Sequence, residues 1–250
     1  METTEIIILA AGKGTRMGTD MPKCLIPVKG IPMIDRLISN VAQGLKNKPL
    51  VVVGHKAEEI EKHLGDRARF AYQLEQKGTA HAAQVALKSL LSDTKNVIIF
   101  YADHPFVSKK TTDDLISEIS DKTLAIATTD AGDFSGWKSL FKHWGRIVYS
   151  KDKKSGGCEE IEKIVEYKDA DDSIKALSSV NPGFYAFKVD WLRQALEKVT
   201  PANAQGEYYL TDVIRMATEA GNTIGEVKIE PFEAMGLNTK VEIEYAESLI

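Results

Sequence analysis

Residues 6–17 read Ile-Ile-Ile-Leu-Ala-Ala-Gly-Lys-Gly-Thr-Arg-Met, and Pro22-Lys23 follow shortly after. An uninterrupted β-branched run of this length is how a strand buried on both faces is written, so residues 6–9 predict a central strand of a parallel sheet. The small residues Ala10, Ala11, Gly12 and Gly14 then let backbone amides approach a ligand closely, with Thr15 beside them and the cations Arg16 and Lys23 flanking the bend. At the carboxyl edge of a parallel sheet this is an anion cradle. Two familiar phosphate loops are excluded: Gly12-x-Gly14 lacks the third glycine of the dinucleotide fingerprint, and no Gly-Lys-Ser/Thr closes a P-loop. A bare glycine pair is more often an ordinary turn, so the rest of the chain decides its meaning.

Outward from this bend, short β-branched runs alternate with amphipathic stretches of helical length, the pattern of a parallel sheet covered by helices. Strands are predicted at 50–53, 70–73 and 97–101. Met33, Ile34, Leu37, Ile38 and Val41 repeat at helical period after Pro32, and further helices are predicted over 57–64 and 80–91. Thr111-x-x-Asp114 reads as a capping pattern opening a helix to Ser120. After a strand at 124–129 the rhythm changes: the aromatic-basic segment 136–144 and the polar, glycine-bearing 151–157 suggest an insertion or β-ribbon. Strands at 158–167 and 183–189 follow, then helices at 191–198 and 210–220. Thr239-x-x-Glu242 opens a last helix. The expectation is an α/β fold: a Rossmann-like, mostly parallel mixed sheet flanked by helices, in one domain over 1–250. Residues 1–130 would carry the anion cradle, and 131–250 a substrate-binding part with a β-rich insertion.

Composition excludes several alternatives. The 250 residues carry a formal net charge of -4, with a pI near 5.8. That gives no electrostatic footprint for a nucleic acid. A hydrophobic content of 43% argues against disorder, and a mean hydropathy of -0.21 with charges recurring throughout leaves no span for a bilayer. Cys24 and Cys158 form neither a zinc clip nor a redox pair. The acidic start and the short apolar run at 6–11 do not read as a signal peptide, so a cytoplasmic location is expected.

Four further motifs follow in order: Gln73-x-Glu75-Gln76-x-Gly78-Thr79-x-His81-Ala82; Tyr101-x-Asp103-x-Pro105; Ile164-Val165-Glu166-x-Lys168-Asp169-Ala170; and Asn203 through Asp212. With Leu9-Ala-Ala-Gly-x-Gly-Thr-Arg-Met17 and Pro22-Lys23, they resemble the sugar-nucleotidyltransferases. Within that family the resemblance is greatest to the uridylyltransferase domain of bifunctional UDP-N-acetylglucosamine pyrophosphorylases, and it runs from Ile6 to about Asn238. The hexapeptide repeats of the acetyltransferase β-helix are missing from this sequence, so that second activity is not implied.

The resemblance implies attack of a sugar 1-phosphate oxygen on the α-phosphorus of a nucleoside triphosphate, with pyrophosphate leaving. Such a reaction needs charge neutralisation and alignment more than a protein nucleophile. Lys23 would contact the α-phosphate and Arg16 the departing phosphates. Asp103 and Asn238 would hold Mg²⁺, for which oxygen donors are suited. Gln73, Gly78 and Thr79 would read the base, and Thr79 is equally placed to cap the following helix. Gly145, Glu166 and Asn181 would hold the sugar. The partners implied are small molecules.

Three features depart from the family. Asn181-Pro182-Gly183 replaces Asn-Thr-Gly or Asn-Ser-Gly, and the segments 133–144 and 151–162 exceed the expected length. Trp137, Phe141 and Trp144 read either as a wall over the sugar or, more commonly at this spacing, as packing. Ala102 and His104 flank Asp103 where a glycine and a small or apolar residue are usual. The leading expectation is a Mg²⁺-dependent enzyme making UDP-N-acetylglucosamine. A thymidylyl- or cytidylyltransferase for another sugar or polyol phosphate is the nearest alternative, and a catalytically silent nucleotide-sugar sensor lies further off.

Overall fold

Every residue from Ile6 to Leu9 is buried, because strand β1 (Thr4–Leu9) lies between two parallel neighbours with helices on both faces. The structure, a computed structural model, describes residues 2–150 and 160–250. After β1 come β2 (Pro27–Val28), β3 (Ile31–Pro32), α1 (Met33–Val41), β4 (Leu50–Val53), α2 (Ala57–Leu64), β5 (Arg69–Tyr72), α3 (Thr79–Leu87), β6 (Asn96–Tyr101) and α4 (Lys109–Glu118). The chain continues through β7 (Leu124–Asp130), β8 (Arg146–Tyr149), β9 (Ile161–Val165), α5 (Asp172–Lys175), β10 (Ser179–Val180), β11 (Tyr185–Lys188), α6 (Val189–Leu196), α7 (Asp212–Glu219), β12 (Ile224–Lys228) and α8 (Lys240–Leu249). The expected α/β fold is the one adopted: a mixed sheet flanked by helices.

One ten-stranded sheet runs in the order β5-β4-β1-β6-β11-β7-β10-β8-β9, with β12 paired to β7. Pairing is parallel from β5 to β6, and β11 then runs antiparallel to both β6 and β7. Strand periodicity sends Ile7, Leu9, Val52 and Ile99 to one face under α3, α6 and α7. Ile6, Ile8, Val53 and Phe100 go to the other, under α1, α2 and α4. Because β4 and β6 lie on opposite sides of β1, the chain reverses its direction of travel across the sheet there. A crevice therefore opens past the carboxyl ends of β1 and β6.

Several elements differ from the sequence reading. Helix α4 is capped by Ser108, whose side chain accepts from Thr111 N, so Thr111 lies inside the helix and does not open it. Glu233 decides this from a distance by accepting from both Ser108 N and Thr111 Oγ1. The segment 136–143 is a 3₁₀ helix, and the ribbon character begins only afterwards, in antiparallel β8 and β9. Residues 151–157 and the start of the strand predicted at 158 lie outside the described residues. Strands β8 and β12 were not predicted. The capping box read at Thr239 and Glu242 is present.

Strands β10 and β11 are two parts of one run, interrupted at Asn181-Pro182-Gly183. The interruption accommodates Pro182, which has no amide to give a ladder. Gly183 has φ +86°, and a methyl there would lie 2.4 Å from Tyr101 Cε2. Left-handed strain and overpacking act together, so Gly183→Ala is expected to cost about 2–5 kcal/mol. A fall in Tm of under about 3 °C would show that the ring gives way freely.

Candidate active site

The crevice holds a cavity of about 420 Å³ whose walls include Ala10, Ala11, Gly12, Gly14, Arg16, Lys23, Gln73, Gly78, Thr79, Tyr101, Asp103 and Asn238. Four chain segments supply these groups. Gly14 has φ +61°, and a methyl on it would lie 2.8 Å from Lys23 Cβ, so glycine is what lets the bend close over the lysine stem. Thr15 opens the 3₁₀ turn Thr15–Met17 that carries Arg16.

The two cations and the two oxygen donors converge. Lys23 Nζ forms an ion pair with Asp103 Oδ2 and donates to Asn238 Oδ1 at 2.7 Å, and Arg16 Nη2 donates to the same Asn238 oxygen at 2.7 Å. Asn238 is held because its amide, like that of Thr239, donates to Glu242 of the α8 capping box. Leu237 N donates to Asp103 O at 2.9 Å, tying the two loops together. Burial favours the protonated form of Asp103, but the charge of Lys23 and hydrogen bonds from Lys23 and His104 outweigh it. The carboxyl is thereby held well below the usual carboxylate range.

Whether a divalent ion fits is tested by the ammonium itself. Lys23 Nζ touches Asp103 Oδ2 and Asn238 Oδ1 together, so these oxygens already share one cation. Among the described residues no group of three or more His, Cys, Asp or Glu side chains is arranged to hold a metal. Two protein oxygens, completed by water and substrate phosphate, are a donor set that suits Mg²⁺.

Gln73, Gly78 and Thr79 meet at the start of α3 and line the cavity, and they also hold the local backbone together. Gln73 is buried, and its Nε2 lies 3.1 Å from both Gly78 O and His81 Nδ1, so His81 helps orient the amide. The helix cap is Gly78, and Thr79 is the first helical residue. Thr79 Oγ1 accepts from Leu210 N at 2.9 Å. Gly78 has φ +114°, and a methyl on it would lie 2.5 Å from Tyr208 O. The crossing of the 203–212 segment therefore requires this glycine whatever lies in the cavity.

Gly145, Glu166 and Asn181 also come together. Asn181 N donates to Gly145 O at 3.0 Å, and a methyl at Gly145 would lie 3.4 Å from Glu166 Oε2. The Asn181 side chain donates to Tyr185 OH at 2.7 Å and accepts from Gly183 N at 3.0 Å. Tyr101 links this group to the cavity, since it lines the cavity and its ring packs beside Gly183. Tyr101, Gln76 and Glu207 line the cavity although no role was read for them. All three lie in or beside quoted motifs, which was the available signal.

Glu166 is raised from its ordinary value of 4.5, first by burial and then by Asp169 and Asp212, against a lowering hydrogen bond from Thr211. The native state therefore holds this proton more tightly than the unfolded chain. Charging Glu166 costs stability as pH rises from the unfolded value through the folded one, and the whole cost is present above both. Glu166→Gln is expected to raise Tm at pH 8 by a few degrees and to leave it unchanged below about pH 4. An equal shift at both pH values would contradict this origin.

Other expectations concern packing. Cys24 is 4% exposed, and burial pushes its thiol up to about 12, which suits a packing residue and not a nucleophile. Phe141 is buried between Trp137 and Trp144, with ring centroids 5.7 and 4.7 Å away, so the aromatic trio packs on itself.

Comparison with known proteins identifies the family. Residues 6–212 match the MobA-like NTP transferase domain. The chain belongs to that family, and it is a nucleotidyltransferase of the sugar-nucleotidyltransferase kind. It is 38% identical over 247 residues to the bifunctional protein GlmU of Streptococcus agalactiae serotype V, covering 98% of this chain and 51% of the relative. To GlmU of Desulfotalea psychrophila it is 34% identical over 246 residues, covering 97% and 69%. The chain thus spans about half the length of the first of these relatives. A putative glucose-1-phosphate thymidylyltransferase from Bacillus anthracis, solved with sucrose, superimposes with a TM-score of 0.72 at 17% identity, over 98% of this chain and 94% of that one. At that identity the likeness is one of fold. Among the described residues no helix is long and apolar enough to cross a membrane.

Proposed function

We infer that the protein transfers a uridylyl group from UTP to N-acetylglucosamine 1-phosphate, giving UDP-N-acetylglucosamine and pyrophosphate with Mg²⁺ as cofactor. The observation that carries this reading is the convergence of Arg16, Lys23, Asp103 and Asn238 at the crevice between β1 and β6. The resemblance to uridylyltransferase domains supports the choice of base and sugar.

In this reading the backbone of Ala10 to Gly14 cradles the triphosphate, with Thr15 at the end of the bend. Lys23 leaves its ion pair with Asp103 to neutralise the α-phosphate, and Arg16 turns from Asn238 to the departing phosphates. The sugar-phosphate oxygen forms its bond to the α-phosphorus as the bond to pyrophosphate breaks, and no proton need move because the attacking oxygen is already anionic. Asp103 and Asn238 would hold Mg²⁺, which when bound supplies further neutralisation of the triphosphate. Gln73, Gly78 and Thr79 face the base, and Gly145, Glu166 and Asn181 face the sugar.

The test is pyrophosphate release across a panel of nucleoside triphosphates and sugar 1-phosphates with Mg²⁺. The largest kcat/KM is expected for UTP with N-acetylglucosamine 1-phosphate. A clear preference for dTTP or CTP would reassign the base, and silence with every pair, alongside tight nucleotide binding, would leave a sensor.

A further inference from the structure

His104 is the one group touching Asp103 that the resemblance does not explain, since a small or apolar residue is usual at that position. Its Nδ1 lies 2.9 Å from Asp103 Oδ1, while Asp103 Oδ2 is the oxygen that faces Lys23. An ionised carboxylate only accepts hydrogen bonds, so Nδ1 carries the proton and donates it. The ring has little freedom to do anything else. It is 7% exposed and is walled by Tyr101, Trp144 and Phe184, with centroids 6.0, 5.6 and 5.0 Å away. Its other nitrogen, Nε2, is buried with no hydrogen-bond partner among the described residues.

Nε2 faces Gly236, where a methyl would lie 2.7 Å from it. Gly236 stands two residues before Asn238, and Leu237 N bonds Asp103 O. The imidazole is therefore wedged between the loops that carry both oxygen donors, and among the described residues its one hydrogen bond goes to a carboxylate oxygen.

We propose that His104 is a positioning residue that ties down one oxygen of Asp103, so that this carboxylate offers a divalent cation only the other, a constraint that favours Mg²⁺ and Mn²⁺ over Ca²⁺. The physical basis is the difference between the ions. Ca²⁺ accepts carboxylates through one or two oxygens in a loose shell of six to eight, whereas Mg²⁺ demands a near-octahedral shell and binds through one. A carboxylate free to rotate would present both oxygens and lose that discrimination. Groups that orient a metal ligand are typically worth about 10- to 100-fold in metal affinity. The proposal rests on Asp103 being the metal ligand of the function inferred above.

The test uses the nucleotide-free protein with Mn²⁺ alone, its binding followed by electron paramagnetic resonance and then competed with Ca²⁺, so that no turnover is required. His104→Leu is expected to weaken Mn²⁺ binding about tenfold and to shift the Ca²⁺ to Mn²⁺ affinity ratio toward Ca²⁺ several-fold. His104→Asn, whose amide nitrogen stands in the place of Nδ1, should restore both values to within about threefold of wild type. His104→Gln places its amide further out and should behave like the leucine variant, which keeps the comparison available if the leucine protein does not fold. A glutamine or leucine variant that is folded and binds Mn²⁺ with unchanged strength and unchanged Ca²⁺ competition, while Asp103→Asn has lost the ion, overturns the proposal alone. If Asp103→Asn binds Mn²⁺ as wild type does, the metal assignment itself fails and this inference falls with it.

Discussion

Lys23→Ala is expected to lower kcat by roughly 10²- to 10³-fold while changing the apparent affinity for the triphosphate no more than about fivefold. The asymmetry follows from where the ammonium stands. In the structure it is engaged by Asp103 and Asn238, so binding a triphosphate exchanges one set of anionic and polar partners for another and gains little in the ground state. Negative charge gathers around the α-phosphorus only as the incoming phosphate oxygen approaches, and a cation positioned there acts mainly at that moment. Steady-state kinetics over both substrates separates the cases, since matched losses in turnover and nucleotide affinity would place the charge in binding instead. A second consequence is opposite in sign. With no ammonium between Asp103 and Asn238, the nucleotide-free Lys23→Ala protein should bind Mn²⁺ more tightly than wild type, and weaker binding would mean that the lysine does not compete for those oxygens.

What the sequence made legible is what local chemistry determines. The run 50–53 is four consecutive β-branched or aliphatic residues and forms a strand with those bounds. Thr239 and Glu242 form a capping box because both partners lie within one turn, and that box in turn holds Asn238. The small residues and cations of the glycine bend are adjacent in sequence, and they line one cavity. Illegible features depend on partners far away. Strand β12 offers only Ile224 and Val227 as apolar signals, and its Gly225 is required by a close approach to Ala125 and Glu118 of other elements. Ser108 and Thr111 are both plausible caps, and only Glu233 selects between them. At Gly78 the sequence carries no sign of Tyr208, whose backbone would lie 2.5 Å from an added methyl. Arg146, which had no role in the sequence reading, is the clearest case.

Arg146→Met is expected to destabilise the protein by at least about 4 kcal/mol, lowering Tm by roughly 8–16 °C. The guanidinium is 1% exposed, and among the described residues no carboxylate pairs with it. Its partners are backbone carbonyls: Lys175 at 3.2 Å, Lys142 at 2.8 Å, and those of Phe141 and Trp144. Phe141 and Lys142 belong to the end of the 3₁₀ segment and Lys175 closes α5, so one side chain serves carbonyls at the ends of two helical turns, and the Phe141 oxygen also accepts from Trp144 N at 3.0 Å. Phe134 and Tyr167 lie against its charged plane at 4.7 and 5.5 Å. Methionine would fill the space but take this donor from the carbonyls of Lys142, Trp144 and Lys175 in a buried setting, at about 1–3 kcal/mol each where water cannot reach. Lysine offers three protons from a single point and not a planar fork, so Arg146→Lys should recover less than half of the loss. The consequences reach the proposed sugar site, since Gly145 lies between Trp144 and Arg146, and Tyr167 follows Glu166. A folded Arg146→Lys protein should therefore show a raised KM for the sugar phosphate with little change for the triphosphate. A methionine variant melting within about 3 °C of wild type would show that water satisfies the carbonyls and that the arginine is not what holds this corner together.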